Sequence, residues 1–211
     1  VFATGRHLAA VKDFLRLLRA HRRPDACICM VGTEIWIRRR FRYRLDRGWS
    51  QVIGAHWDRG AVLAAARRVR GLTLQHDEWQ SDFKISWFVD REDPDGVVVE
   101  VEDALRHHGI EVLLIHSGGN LLDALPVESG KGSAAAFLAR RFGIRSDAII
   151  TAGDSGNDLD MMRPELGFRS IIVGNASPEM RRIEADHVYR AQAATTAGIR
   201  EGLRHWGWLS G

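Results

Sequence analysis

Apolar and polar positions follow one arrangement up to about Pro126 and another after it. In the first stretch the periodicity keeps changing. Residues 1–3 read as the end of a strand that turns at Thr4-Gly5-Arg6. Val11, Leu15 and Leu18 then recur at helical spacing, with Phe14 and Leu17 beside them. Pro24-Asp25 stops that helix, and the unbroken apolar run over 26–31 predicts a buried strand. Gly32-Thr33-Glu34 predicts a turn and Ile35-Trp36-Ile37 another extended piece. Val62, Ala65, Ala66 and Val69 predict a helix leading to Gly71, followed by Leu72-Thr73-Leu74 and a polar stretch over 75–82. Residues 84–89 predict a strand by their β-branched and aromatic content. Pro94-Asp95-Gly96 predicts a turn or loop, 97–108 a helix closed by Gly109, and 110–115 a strand. The block over 45–126 therefore reads as α+β material with its own small sheet.

After Pro126 strands and helices alternate. Gly130-Lys131-Gly132-Ser133 introduces a helix with Ala135, Leu138 and Phe142 on one face. Strands are predicted at 149–153, 170–173 and 187–189, a short helix at Pro178 and a closing helix over 196–206. Alternation of this kind implies a parallel sheet.

Composition adds limits. The chain has 211 residues, 45% hydrophobic and 27% charged, which is ordinary for a soluble domain with or without an insert. No apolar run is long enough to span a membrane. Cys27 and Cys29, two apart in an apolar run, read as packed thiols, which suits a reducing cytoplasm. The net charge of +3 does not call for a polyanionic partner. Arg38-Arg39-Arg40-Phe41-Arg42-Tyr43-Arg44 could form a nucleic-acid surface. A strand with Phe41, Tyr43 and Leu45 on one face and solvated arginines on the other fits better, because nothing nearby extends the patch.

The chemistry gathers at Gly153-Asp154-Ser155-Gly156-Asn157-Asp158, where a predicted buried strand runs into small, acidic and amide residues. Ligands of open α/β sheets sit beyond the carboxyl ends of the strands. Asp154 and Asp158 with Asn157 offer the oxygen donors of a hard cation, Mg²⁺ before others at a phosphate site. The competing reading makes Asp154 only a helix cap. Gly-Asp-Ser-Gly also surrounds the nucleophile of chymotrypsin-like proteases, but the strand-then-helix setting does not suit those all-β proteins, and the spacer of a Gly-x-Ser-x-Gly elbow is missing. Thr4-Gly5-Arg6 adds a hydroxyl and backbone N–H groups after a strand. Lys131 adds a positive charge at a helix start, where it would otherwise be a solvated loop lysine. It is not a P-loop lysine, since Leu125 stands at the required first glycine.

Taken in order, these segments resemble the haloacid-dehalogenase phosphohydrolases, and within them the sucrose-phosphate phosphatase-like branch. Thr4-Gly5-Arg6 matches the family's second motif, Lys131 the third, and Gly153-Asp154 through Asp158 the fourth. Val31-Gly32-Thr33-Glu34-Ile35, Phe83-Lys84-Ile85-Ser86, Asp123-Ala124-Leu125-Pro126 and Tyr189-Arg190-Ala191-Gln192 extend the likeness over nearly the whole chain. The family's first motif, Asp-x-Asp-x-Thr, should precede Thr4. It does not fit in the three residues that do, and an absent N-terminal piece is expected.

The resemblance implies an α/β Rossmann-like core lacking its first strand, in parts 1–44 and 128–211, with an inserted α+β cap over 45–127. It implies Mg²⁺-dependent hydrolysis of a small-molecule sugar phosphate, a disaccharide phosphate such as sucrose 6-phosphate, in the cytoplasm, with no nucleic-acid or membrane partner. Thr4, Lys131 and Asp154 would be catalytic, with Gly5 and Arg6 at the substrate. Asp154, Asp158 and Asn157 would serve the metal, and Gln80, Lys84 and Ser86 the sugar. The 211-residue chain alone is expected to be inactive. The alternative is a non-catalytic sugar-phosphate-binding or regulatory domain, as of a glycosyltransferase such as sucrose-phosphate synthase; a nucleic-acid-binding module comes third. Oligomeric state stays open.

Overall fold

In the computed structural model, which describes residues 1–40, 42–89 and 92–210, the chain divides into two units, Val1–Ala134 and Ala135–Gly211. The first unit holds two sheets. Its first sheet contains β1 (Phe2–Ala3), then, after helix α1 (Leu8–Arg16), β2 (Ala26–Cys29), β3 (Glu34–Arg39) and β4 (Arg42–Leu45), in chain order. β1 and β2 are parallel, which requires a crossover, and α1 provides it; the other pairs are antiparallel. The predicted face of α1 is the buried one. Leu8, Val11 and Leu15 pack on Cys27, Cys29 and Met30, with Leu18 beside them, while Phe14 and Leu17 stay exposed. Both thiols are free and buried in this cluster, and burial pushes both up from their ordinary range. They are packing groups, as their spacing suggests.

Two local expectations change. The strand predicted over 26–31 ends at Cys29, because Met30, Val31 and Gly32 all take positive φ (49°, 58° and 96°) and reverse the chain. The basic run is a hairpin, not one strand. β3 ends at Arg39, Arg40 takes φ 55° in the turn, and β4 starts at Arg42; Phe41 lies outside the described residues. Tyr43 packs inward and donates to the Pro24 carbonyl (2.7 Å), and Arg38 donates to Asp25 (2.6 Å). Leu45, expected beside Tyr43, is 40% exposed. A run of arginines without Gly, Pro, Asn or Asp carries no local turn signal.

The second sheet comes after α2 (Arg47–Gly54) and α3 (Arg59–Ala66). It is built from β5 (Leu72–Leu74), β6 (Ile85–Val89), then, beyond α4 (Pro94–His107), β7 (Leu113–Ser117) and β8 (Leu121–Leu125). Its order is β5-β6-β8-β7, antiparallel throughout. Val62, Ala65 and Ala66 of α3 and Val97, Val101 and Leu105 of α4 pack on Ile85, Trp87, Val89, Leu122 and Ala124. Each larger apolar side chain so buried is worth about 1.5–3 kcal/mol. Pro94-Asp95-Gly96 is not a separate turn. It is the first turn of α4, where proline needs no N–H partner and Asp93 accepts from Gly96 N (3.1 Å). The structure adds α2 and β8 to the elements that the sequence pattern predicts. Asp46 caps α2 by accepting from Trp49 N (3.2 Å), and Trp49 and Ile53 anchor it.

Helix α5 (Lys131–Phe142) carries the chain into the second unit. There β9 (Ile150–Gly153), β10 (Arg169–Ile172) and β11 (Val188–Arg190), with helix α6 (Pro178–Arg181) between the last two, form the parallel sheet that the alternation predicts. Helix α7 (Thr195–His205) lies on this sheet through Gly202, where a Cβ would stand 2.5 Å from Ile171. Among the described residues, β1 and β9 each have a strand neighbour on one side only, and no helix is long and apolar enough to cross a membrane.

Glu201 of α7 accepts from Gln192 N (2.9 Å), Ala193 N (2.9 Å) and the Tyr189 hydroxyl (2.8 Å), tying the loop after β11 to the helix. Those bonds, the two backbone ones first, hold its carboxyl below the ordinary 4.5. A depressed folded-state pKa gives stabilisation that is complete above the unfolded value and lost as pH falls below it. Glu201→Gln should therefore lower stability at neutral pH and flatten the loss below about pH 4.5, measured by urea unfolding at each pH. An equal deficit at acid and neutral pH would contradict this.

Candidate functional site

Thr4 closes β1, its N–H donating to the Ile28 carbonyl (2.9 Å). Its hydroxyl oxygen accepts from Arg6 N (3.2 Å), which leaves its O–H to donate to a ligand. Gly5 is half-buried and Arg6 exposed. The left-handed turn clamps this loop: Val31 N donates to the Thr4 carbonyl (3.2 Å) and Met30 N to that of Arg6 (3.1 Å). Positive φ at a β-branched valine is rare, and such strain persists only where the surroundings hold it. Trp49 Nε1 holds the turn by donating to the Gly32 carbonyl (2.9 Å). From there the turn meets the start of α5. A Cβ on Gly32 would lie 2.1 Å from the Gly130 carbonyl carbon and 2.5 Å from Lys131 N.

The first unit thus brings Thr4 and Lys131 into one packed block through Gly32. Lys131 is 3% exposed, not a solvated loop lysine as its sequence setting suggests. The close approach of Gly32 to Gly130 is a contact the sequence pattern does not predict. Its only sequence signal is a glycine after an apolar run and another before a lysine.

In the second unit the acidic turn follows β9 at the carboxyl edge of the parallel sheet. Asp158 is buried, and its Oδ2 accepts from Asp154 N (3.0 Å) and Ser155 N (3.3 Å). Gly153 makes room for it, since a Cβ there would stand 2.4 Å from the Asp158 Cβ. Ser155 donates to Asn157 Oδ1 (3.2 Å), and Ser177 N donates to the Asp154 carbonyl (2.8 Å). Asp154, exposed at the lip, is therefore held by its backbone, with Asp158 as the residue that positions it. The oxygen-only donor set suits Mg²⁺. Among the described residues no three His, Cys, Asp or Glu groups gather as a metal site, so water and phosphoryl oxygens would complete the coordination.

Gln80, Lys84 and Ser86 share a polar network beside β6. Lys84 is buried and donates to Asp123 Oδ1 (2.9 Å), the Trp79 carbonyl (3.0 Å) and the Ser86 hydroxyl, so its three protons all have acceptors. Ser86 Oγ donates to Asp123 Oδ1 (2.5 Å). The Gln80 amide bonds the Ser86 backbone in both directions (2.8 and 2.9 Å). Asp123 was not among the expected site residues; a lone carboxylate inside Leu121-Leu122-Asp123-Ala124-Leu125 is the signal that marks it. Among the described residues the bonds to Asp123 all meet its Oδ1, and its side chain is 12% exposed.

Removing one partner of a buried ion pair leaves the other charge unpaired. Asp123→Ala should therefore cost about 3–5 kcal/mol, and the double change Lys84→Met with Asp123→Leu much less. Chemical denaturation decides this; equal losses in the two variants would contradict it.

The model of the sucrose-6F-phosphate phosphohydrolase family matches residues 1–207. The chain is 33% identical over 212 residues to a mannosylfructose-phosphate phosphatase of Agrobacterium fabrum, covering 98% of this chain and 82% of that protein. It is 31% identical over 216 residues to sucrose-phosphatase 1 of Nicotiana tabacum, covering 98% of this chain but 50% of that one, so it spans about half the length of that plant relative. The solved sucrose-phosphatase of Synechocystis sp. PCC6803, in complex with sucrose and phosphate, superposes with a TM-score of 0.88 at 30% identity, over 99% of this chain and 85% of that one.

Proposed function

The chain belongs to the sucrose-6F-phosphate phosphohydrolase family of haloacid-dehalogenase-type sugar-phosphate phosphatases, and from that premise we propose that it serves the Mg²⁺-dependent hydrolysis of a disaccharide phosphate such as sucrose 6-phosphate. The observation that carries this reading furthest is the packing of the Thr4 loop onto the start of α5 through Gly32, which gives a hydroxyl donor and an ammonium group one rigid support. Thr4 donates to a phosphoryl oxygen, helped by the backbone of Gly5 and Arg6, and Lys131 balances the developing negative charge. Asp154, positioned by Asp158 and with Asn157 beside it, holds the metal. Mg²⁺, when bound, draws negative charge from the phosphoryl oxygens.

The reaction needs two further carboxyl groups. One aspartate attacks phosphorus in line and breaks the bond to the sugar oxygen, giving an aspartyl-phosphate that water then hydrolyses. A second gives its proton to the leaving sugar oxygen and takes one from the attacking water. Neither stands in the motifs matched within these 211 residues. Residues 1–44 and 128–211 form the catalytic core in this reading, and 45–127 the cap over the sugar. Gln80, Lys84 and Ser86 meet its hydroxyls, a hydroxyl replacing one of Lys84's present acceptors. The buried, protonated thiols suit a reducing cytoplasm.

Phosphate release from sucrose 6-phosphate with Mg²⁺ tests the proposal. The 211-residue polypeptide alone should give only the background rate. Supplying a strand that carries Asp-x-Asp-x-Thr, fused or as a peptide, should raise the rate, and Asp154→Asn should abolish the gain. Strong turnover by the polypeptide alone that vanishes with Asp154→Asn would overturn the account of the nucleophile. No turnover in any form would favour a binding domain.

A further inference from the structure

Strand β5 is an edge. Among the described residues its only strand neighbour is β6. Gln75 N donates to the Ser86 carbonyl (2.9 Å), which makes that residue pair a hydrogen-bonded one. By the alternation of antiparallel ladders, Thr73 then bonds Phe88, and the N–H and C=O groups of Leu72 and Leu74 point away from the sheet. Leu74 is 51% exposed, and beside it an apolar groove of about 680 Å³ runs between α3 and β5, lined by Leu63, Ala66, Val69, Leu72 and Trp87. An open edge with an apolar flank is a template for another strand.

Charge selects that strand. The chain enters β5 through exposed Arg67, Arg68 and Arg70 and leaves it through exposed Asp77 and Glu78. When two such strands run antiparallel about a two-fold axis at Thr73, Leu72 of one lies across from Leu74 of the other, and the arginine segment that precedes β5 in each copy lies towards the acidic segment that follows β5 in its mate. The basic end of each copy then meets the acidic end of its mate, at both ends of the pairing. From the open edge and this self-complementary charge we infer that β5 is a self-association surface, pairing with β5 of a second copy of this chain.

Leu72 and Leu74 of one copy exchange N–H···O=C bonds with Leu74 and Leu72 of the other, and the two sheets continue as one. The leucines pair across the junction over the apolar grooves. A patch this short gives a weak dimer, and its charged ends make it salt-sensitive.

Analytical ultracentrifugation of the full chain over a concentration series tests this. A reversible dimer is expected at low salt, dissociating roughly tenfold more readily near 1 M salt. Leu74→Lys should leave a monomer with an unchanged circular dichroism spectrum. Arg68→Glu with Arg70→Glu, and separately Asp77→Lys with Glu78→Lys, should each prevent self-association, whereas mixing the two variants should give a heterodimer. A chain monomeric at every concentration overturns the inference. So does a dimer indifferent to Leu74→Lys and to both charge reversals, which would use another face.

Discussion

Turnover of sucrose 6-phosphate, in the form that carries the Asp-x-Asp strand, should fall about a hundred- to a thousandfold on Lys131→Met or Asp154→Asn. The two losses have different causes and different readouts. Lys131 offers a full positive charge at the first residue of α5, and the low exposure of the site strengthens its action on phosphoryl oxygens. Methionine keeps much of its volume and removes the charge. This matters because burial of Lys131 makes an alanine there a packing defect as well. Asp154→Asn keeps the shape and the backbone bonds to Asp158 and Ser177 but removes the charged oxygen at the lip. It should also raise the Mg²⁺ concentration needed for half-maximal rate, which Lys131→Met should leave nearly unchanged. Rates within a few-fold of the parent in both variants would remove these residues from the site.

Gly32→Val should be among the most damaging single changes to stability, about 3–5 kcal/mol. Two penalties combine. A side chain at φ 96° is strained whatever space surrounds it, and here the added carbon would stand 2.1 Å from the Gly130 carbonyl carbon. Backbone atoms cannot rotate aside as the end of a side chain can. Gly109→Ala provides the comparison. Its φ is 65°, but nothing lies within 4 Å of the new carbon, so only the backbone strain of about 1 kcal/mol remains. Urea midpoints of the two variants separate strain from collision. Because the collision involves Gly130 and Lys131, Gly32→Ala in the competent enzyme should lose activity beyond what its unfolded fraction explains. Similar costs at Gly32 and Gly109 would show that the turn does not press on α5.

Much of this protein is determined by patterns a few residues long. Leu8, Val11 and Leu15, or Val97, Val101 and Leu105, recur at helical spacing, so a helix there buries one stripe whatever partner it meets. Asp154 through Asp158 is equally local. A strand, a glycine and a carboxylate four residues on suffice for Asp158 to reach back to the N–H groups of Asp154 and Ser155. The parallel sheet follows from the alternation of strands and helices beyond Pro126.

What tertiary structure decided is of another kind. Val31 and Met30 would prefer extended backbone, as their apolar run suggests. They are left-handed because Thr4 and Arg6 accept their N–H groups and Trp49 holds the Gly32 carbonyl. Lys131 is buried because the segments preceding and beginning α5 pack against that turn, and Asp123 matters because β8 sets it beside Lys84, the residue before β6. Helix and strand periodicity records only which face of an element turns inward. Which distant residue waits there depends on packing between segments far apart in the chain, and no local spacing carries that.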